Sequence, residues 1–235
     1  MIGEILGFTA GVAADFAAEV AKVNKLKKGK TKDQKKVIDF FFHEYVGGGC
    51  LKKGGAKMSM DQYQNFVREK CKRLNIKEMA MSKLGIDWSQ VQEIRPVTLT
   101  AYEYNKDCFV RVEDGQAVSN LYCITAIFFS MEQIFVYKYQ FDTASDNTWE
   151  ITYEFFYDDI VCITTKKEVK EKITISLKKG CFKKGEEITK DLYIDEVLEI
   201  DVPGISYEFS KNSGPQVEQS IMAAKAMIRE KKAGR

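Results

Sequence analysis

The sequence predicts an α+β fold in which helices come first, an antiparallel β region follows, and one helix ends the chain. Residues 118–165 carry most of this prediction, because aromatic-rich segments of alternating polarity follow one another there, broken by polar turns. Residues 59–90 hold three helix-capping patterns. Residues 217–228 place apolar side chains at helical spacing. We therefore expect a sheet with helices packed around it.

The composition is that of a protein with a packed core. Of the 235 residues, 45% are hydrophobic and 12% are aromatic, which excludes wholesale disorder. The net charge is only +2, but it is unevenly spread: residues 1–95 hold 18 Lys and Arg against 11 acidic residues, and residues 96–235 hold 18 against 23. The two halves either attract each other within one molecule, or the basic half faces an anionic partner.

The six cysteines predict free thiols. They are well separated, without a CxxC pair, and two of them, Cys123 and Cys162, lie in apolar strand patterns. With a single histidine in the chain, we expect buried thiols in a reducing cytosol, no disulfide framework, no metal site and no cofactor. Glu4 interrupts the first apolar run, so a secretory signal is not expected and the predicted location is cytoplasmic.

Residues 1–24 predict an Ala-rich helix with one apolar stripe. Gly3, Gly7 and Gly11 stand four apart on it, a row of small residues that lets another backbone approach closely. Three glycines also weaken the helix by about 1 kcal/mol each, so it needs a packing partner. That partner is the β domain, a second copy of the chain or lipid, and these three glycines are the candidate self-association residues.

A lysine-rich run follows at residues 22–36, with eight lysines against one aspartate. The simplest interpretation is a solvated linker. The alternative is a contact with an anionic surface, since an apolar helix followed by basic residues is typical of an interfacial anchor at the inner face of the membrane. Glu4, Asp15 and Glu19 would oppose anionic lipid. The candidate contacts are Lys22, Lys25, Lys27, Lys28, Lys30, Lys32, Lys35 and Lys36.

Residues 32–95 form the second predicted segment, which is helical. Residues 33–46 have amphipathic spacing, and His43 among their aromatics is interpreted as structural. The Gly-rich stretch 47–57 is not a phosphate loop, because Gly55 and Ala56 stand where Lys and Ser or Thr would be required. Three further helical starts are predicted by the pairs Ser59 and Gln62, Asn75 and Glu78, and Asp87 and Gln90, with Gly85 ending the second helix.

The β region begins at Pro96. We expect residues 97–105 and 108–114 to form a hairpin, with the next turn at Asp114 and Gly115 and a polar loop at 143–147. Strands are also predicted within 118–129, 133–142, 148–168, 172–179, 189–201 and 205–210, which gives seven or more strands in meander order. This pattern is typical of a sandwich or a barrel.

Three segments of the second half carry a resemblance. FFSMEQIFVYKYQFD, YEFFYDDIVCITT, and VPGISYEFS leading into SIMAAKAMIREKK together resemble bacterial pleckstrin-homology-like (PH-like) domain proteins, over about residues 96–232. The resemblance implies an antiparallel β-barrel or sandwich of about seven strands closed by a C-terminal amphipathic helix. The predicted domains are therefore 1–31 (helix and basic linker), 32–95 (helical) and 96–235 (PH-like).

What the resemblance implies about function is limited, because one fold hosts many functions. Phosphoinositide-binding members cluster cations around the first hairpin, whereas here Lys106 and Arg111 stand beside Asp107, Glu113 and Asp114. Phosphoinositide binding is therefore not expected. Bacterial PH-like domains are often scaffolding or oligomerisation modules.

The sequence therefore favours a non-enzymatic binding or scaffolding module that takes a protein partner or assembles with itself. No catalytic motif is present, and the adjacent Asp158 and Asp159 would point to opposite faces of a strand or lie in a turn. No catalytic, cofactor or metal residue is assigned. Nucleic-acid binding ranks lower, because the lysines flanking Gly180 and Phe182 lie in an acidic half of the chain.

Overall fold

The computed structural model describes residues 18, 20–43, 58–91, 95–105, 108–179, 184–212 and 215–233; of 170–193, 195 and 216 it describes the backbone alone. The chain divides into two compact units. Unit 1 is Met1–Lys72 with Asp142–Asn147, and unit 2 is Arg73–Phe141 with Thr148–Arg235. Helices and antiparallel strands both contribute, which confirms the α+β class.

The helices begin and end largely where the caps predict. Ser59 and Gln62 exchange backbone-to-side-chain hydrogen bonds, as do Asp87 and Gln90. Gly85 adopts a φ of 67°, the left-handed conformation that ends a helix. Residues 20–27 are helical, and the helices with defined bounds are α1 (Lys32–Phe41), α2 (Met60–Arg73), α3 (Ile76–Leu84) and α4 (Pro215–Ala233), with a 3₁₀ turn at Trp88–Gln90.

In unit 1, α1 starts with a capping box. The Gln34 N–H donates to Thr31 Oγ1 at 3.2 Å, and the Thr31 N–H donates to Gln34 Oε1 at 2.9 Å. Much of the lysine run therefore lies in helices, at 20–27 and from Lys32 onward, and not in an extended linker. Phe40 of α1 stacks on Tyr63 of α2 with ring centroids 4.6 Å apart, which joins the two helices.

The loop at 142–147 is also part of unit 1, and residues 143–145 of it are buried. Thr143 is only 2% exposed, and its Oγ1 lies 2.9 Å from the Tyr63 hydroxyl. Gln34 Nε2 donates to Asp146 Oδ1 at 2.8 Å, and Lys70 Nζ donates to the Asp142 carbonyl at 3.3 Å. The predicted loop is confirmed in position, but two of its polar side chains, those of Thr143 and Asp146, bond to helices.

Nine strands are described, and they lie in three sheets. They are β1 (Val97–Tyr102), β2 (Val110–Glu113), β3 (Gln116–Ser119), β4 (Leu121–Phe129), β5 (Gln133–Asp142), β6 (Thr148–Phe156), β7 (Cys162–Lys179), β8 (Lys184–Val202) and β9 (Ile205–Ser210). Their orders are β1-β4-β5-β6, β2-β3 and β7-β8-β9. None of these sheets closes into a barrel, because the nine strands are divided among separate sheets.

The predicted hairpin between residues 97–105 and 108–114 is wrong. β1 pairs antiparallel with β4, with Val97 opposite Ile127, whereas β2 pairs with β3. The predicted turn after β2 is confirmed: Asp114 and Gly115 both have positive φ, 51° and 74°, as a two-residue type I′ hairpin turn requires.

The core of unit 2 draws on the four-stranded sheet, the base of the three-stranded sheet and α4. Tyr153 of β6 meets Tyr207 and Phe209 of β9, with ring centroids 5.0 and 5.8 Å away. The apolar stripe predicted for the last helix is confirmed by burial of Ile221 and Ile228. The helix thus covers the sheets at the end of the chain.

Most aromatics of 128–157 are buried, on both faces of the four-stranded sheet. Phe129 and Phe155 belong to the core below α4, whereas Phe128 lies on the other face, where Trp88 packs edge-on at a centroid distance of 6.4 Å. Trp149 and Phe156 of β6, 45% and 53% exposed, are the exceptions. Most of these aromatics are therefore core residues.

Candidate interaction surface

A long two-stranded ribbon leaves the core of unit 2. β7 and β8 pair over eighteen residue pairs, but β9 adds a third strand to only the last six residues of β8, Val197–Val202. Thirteen pairs, from Lys167 with Glu196 to Lys179 with Lys184, lie beyond that third strand. At about 3.3 Å per residue this ribbon is about 40 Å long. We call these thirteen pairs the outer ribbon.

An apolar pair is exposed on the outer ribbon. Val169 and Ile194 are directly opposite each other and are 68% and 55% exposed. Leu198 and Ile200, at alternate positions further along β8, are 5% and 1% exposed because they lie in the core. Alternation puts these positions on one side of the ladder. The side that is core at the base is therefore open at Val169 and Ile194.

The two strands of the ribbon carry opposite charge. β7 contains six lysines and two glutamates, whereas β8 contains two lysines and seven acidic residues. Among the described residues, β7 is an edge of its sheet along its whole length, and β8 is hydrogen-bonded to no strand but β7 over 184–195. Charged edges oppose the addition of a strand of like charge.

The base of the ribbon is held by a buried ion cluster. Lys211 Nζ donates to Glu196 Oε2 at 2.8 Å and to Glu218 Oε1 of α4 at 2.6 Å, and the Lys211 side chain is only 3% exposed. Burial by itself lowers the pKa of Lys211, but the carboxylates of Glu196 and Glu218 outweigh it and raise the pKa above its usual value. Lys167, which is exposed, pairs with Glu196 at 3.1 Å. The ribbon is therefore anchored to the helix at one end.

The residues that the sequence singled out are not brought together by the described structure. Gly3, Gly7 and Gly11 lie outside the described residues. The side chains of most candidate lysines are exposed: Lys22, Lys25, Lys28, Lys32, Lys35 and Lys36; Lys30 is half-buried. Lys36 pairs with Asp33 at 3.1 Å, and Lys27 pairs with Asp39.

The four described cysteines are free, as predicted, but they differ in burial. Burial raises the pKa of the Cys123 thiol to about 12, so it stays protonated and inert at neutral pH. Cys162, expected to be buried, is exposed and donates to Asp201 Oδ2 at 3.0 Å. Asp158 and Asp159 are exposed on a 3₁₀ turn, in agreement with the predicted strand-end turn.

The outer ribbon is not predicted from the sequence. Strands are predicted at residues 172–179 and 189–201, whereas in the structure they extend over Cys162–Lys179 and Lys184–Val202. The signal was present: residues 162–179 contain neither glycine nor proline to break the strand. The length of this strand can therefore be predicted from the sequence, but the elements that pack on it cannot.

No protein-family model matches this chain, and no curated protein and no solved structure matches it either. In the ranges that the structure describes, no helix is long and apolar enough to cross a membrane. Within the same ranges, no three His, Cys, Asp or Glu side chains are grouped so that they could hold a metal ion.

Proposed function

We propose that the protein is a non-enzymatic scaffolding module that assembles with a second copy of itself through the outer ribbon. The observation that carries this proposal is the exposed pair Val169 and Ile194 on a ladder that has no third strand. An isolated two-stranded ribbon is marginally stable in water, and an apolar face needs a second layer. A second copy supplies that layer.

The charges of the strands favour face-to-face packing over edge pairing. A two-fold dimer that joined β7 to β7 would oppose two strands of net charge +4, and one that joined β8 to β8 would oppose two of −5. Both edge arrangements are repulsive. Packing the apolar faces of two antiparallel ribbons avoids both and leaves the charged edges in water.

The size of the ribbon sets the expected affinity. A face about 40 Å long and about 10 Å wide offers about 400 Å² per copy by strand geometry. The pair would bury about 800 Å² in total, below the roughly 1,200 Å² of stable interfaces. The dimer is therefore expected to depend on concentration, as transient assemblies do.

Sedimentation equilibrium of the full chain over a range of concentrations tests the proposal. We expect the weight-average mass to rise toward that of a dimer, and the variant Val169→Lys/Ile194→Lys to stay monomeric. Both positions are exposed, so the variant should keep its fold, which thermal unfolding checks. Glu168→Gln, next to Val169 but of opposite parity, is the control and should dimerise like the wild type. A wild-type mass that does not change with concentration would sink the proposal.

We also propose that residues 96–235 form a PH-like domain. The support is the order of its elements: nine antiparallel strands followed by one C-terminal helix, α4, that packs Ile221 and Ile228 on the sheets. An experimental structure of the full chain tests this. If its strands and last helix did not superpose on PH-like domains, this part of the proposal would be wrong.

A second candidate is attachment of a cytoplasmic protein to an anionic membrane surface through residues 22–36. It is favoured by exposed lysines there, of which Lys25, Lys28 and Lys32 have no ion pair within the described part of the chain. Co-sedimentation with phosphatidylserine vesicles at low salt tests it, with phosphatidylcholine vesicles as the control. Lys25→Gln/Lys28→Gln/Lys32→Gln should weaken binding, since each lysine contributes about 1 kcal/mol near an anionic leaflet. Equal recovery with both vesicles would exclude this candidate.

A further inference from the structure

A groove with a volume of about 240 Å³ lies between α4 and the start of β7. One wall is basic and is formed by Lys225, Arg229 and Lys232 of the helix. The rest is mainly apolar and is formed by Ile160, Val161, Ile163 and Ile228, and Cys162 also lines the groove. The groove is in unit 2 and shares no residue with the outer ribbon.

The three cations stand at i, i+4 and i+7, so they lie on one face of the helix. Lys232 donates to the Ile160 carbonyl. Neither Lys225 nor Arg229 has an ion-pair or hydrogen-bond partner in the part of the chain that the structure describes. Like charges four residues apart on a helix are destabilising, so an anion in the groove would relieve them.

The helix dipole does not explain this arrangement. Cations stabilise a helix within its last turn, and Lys225 lies two turns before the end at Ala233. The carboxylate of Asp201 beside the groove accepts from Cys162 at 3.0 Å and from Ser206 at 2.5 Å, which are uncharged donors, so it keeps its negative charge. The three cations of the wall outnumber this one carboxylate, and a net positive charge is left for a ligand.

We propose that this groove binds a phosphomonoester that carries a small apolar group. Three cations exceed the charge of one carboxylate, whereas a phosphomonoester carries about −1.5 to −2 at pH 7. The apolar wall of the groove would pack against the apolar group of this ligand. A volume of about 240 Å³ leaves room for a phosphate with a short hydrocarbon chain. The proposal does not depend on self-assembly.

Isothermal titration calorimetry of the full chain with butyl phosphate tests the site, with inorganic phosphate and butanol as partial ligands. We expect saturable binding of butyl phosphate, weaker binding of inorganic phosphate and none of butanol. Lys225→Gln/Arg229→Gln should weaken butyl phosphate binding at least tenfold. Lys231→Gln removes the same charge from the same helix outside the groove and should change it less than twofold.

Cys162 provides a second measurement. Butyl phosphate should slow its alkylation by iodoacetamide several-fold, measured peptide by peptide, and should leave Cys71 unchanged because that residue lies in unit 1. Vesicles that contain phosphatidic acid show whether the natural ligand is a lipid or a free ester. If these vesicles protect Cys162 as butyl phosphate does, the ligand is a lipid headgroup. If butyl phosphate alone protects it, the ligand is a free ester. Absence of saturable binding at millimolar butyl phosphate, or equal binding by the double variant, would overturn the proposal.

Discussion

Strands β7 and β8 hold two different environments within one continuous ladder. At the base, Leu198 and Ile200 are core residues, whereas Val169 and Ile194, on the same side of the ladder, are more than half exposed. The residue types and hydrogen-bond register are alike, and only the base has α4 and the four-stranded sheet packed on it. The difference shows that the alternation of side chains along a strand defines which residues share one face of the sheet. That face becomes a core only where a second layer of structure packs on it.

The largest expected effect is a difference in the loss of unfolding free energy between two substitutions in β8. The two residues are apolar and four positions apart. Leu198→Ala should lower the free energy of unfolding by about 2–5 kcal/mol, because it empties a packed position. Ile194→Ala should cost less than about 1 kcal/mol, since mainly strand propensity is lost. Urea denaturation at low protein concentration measures both.

The same pair tests the dimer. If a second copy covers the outer ribbon, the loss caused by Ile194→Ala should grow with protein concentration, while the loss caused by Leu198→Ala should stay nearly constant. A large loss from Ile194→Ala at every concentration would mean that the contrast between base and outer ribbon does not exist in solution.

An intermediate effect is the difference in stability loss between substitutions of two lysines that pair with the carboxylate of Glu196. Lys211→Met should cost about 3 kcal/mol, because it leaves Glu196 buried without its buried partner. Lys167→Met removes the exposed partner of Glu196, 62% exposed, and should cost less than about 1 kcal/mol. Urea denaturation at pH 7 measures the pair, and equal losses would contradict the burial difference.

The smallest effect is a pH dependence. Because the folded pKa of Lys211 is raised, its contribution is fully present below the unfolded value of about 10.4 and is lost as pH rises through the folded pKa. The difference in unfolding free energy between the wild type and Lys211→Met should therefore stay constant from pH 7 to pH 9 and shrink at pH 11. Urea titrations at the three pH values measure it. A difference that grows with pH would mean that the pKa is lowered.

Local features were predictable and distant pairings were not. The caps at Ser59 and Asp87 and the turn at Asp114 follow from neighbouring residues, so the sequence specifies them directly. The polar residues after β1 predict that it pairs with the strand at 108–114. In the structure β1 pairs with β4 instead. The groove was not predicted from the sequence for the same reason. The pattern around Arg229 indicates only a solvated helix residue, and the fold places the start of β7 beside it.

The buried loop shows the same limit. TASDN is polar and predicts a solvated turn, yet Thr143 and Asp146 bond to Tyr63 and Gln34, 80 and 112 residues away. A polar loop can be buried when such partners exist, and residues so distant in sequence give no local signal.

That loop also bears on the order in which a growing chain can fold. Unit 1 contains the first 72 residues, but it needs Asp142–Asn147 to bond Gln34, Tyr63 and Lys70. At about 5–20 residues per second of synthesis, the N-terminal helices wait several seconds for those residues to leave the ribosome. Until then, the bonds that Gln34, Tyr63 and Lys70 make to this loop cannot form.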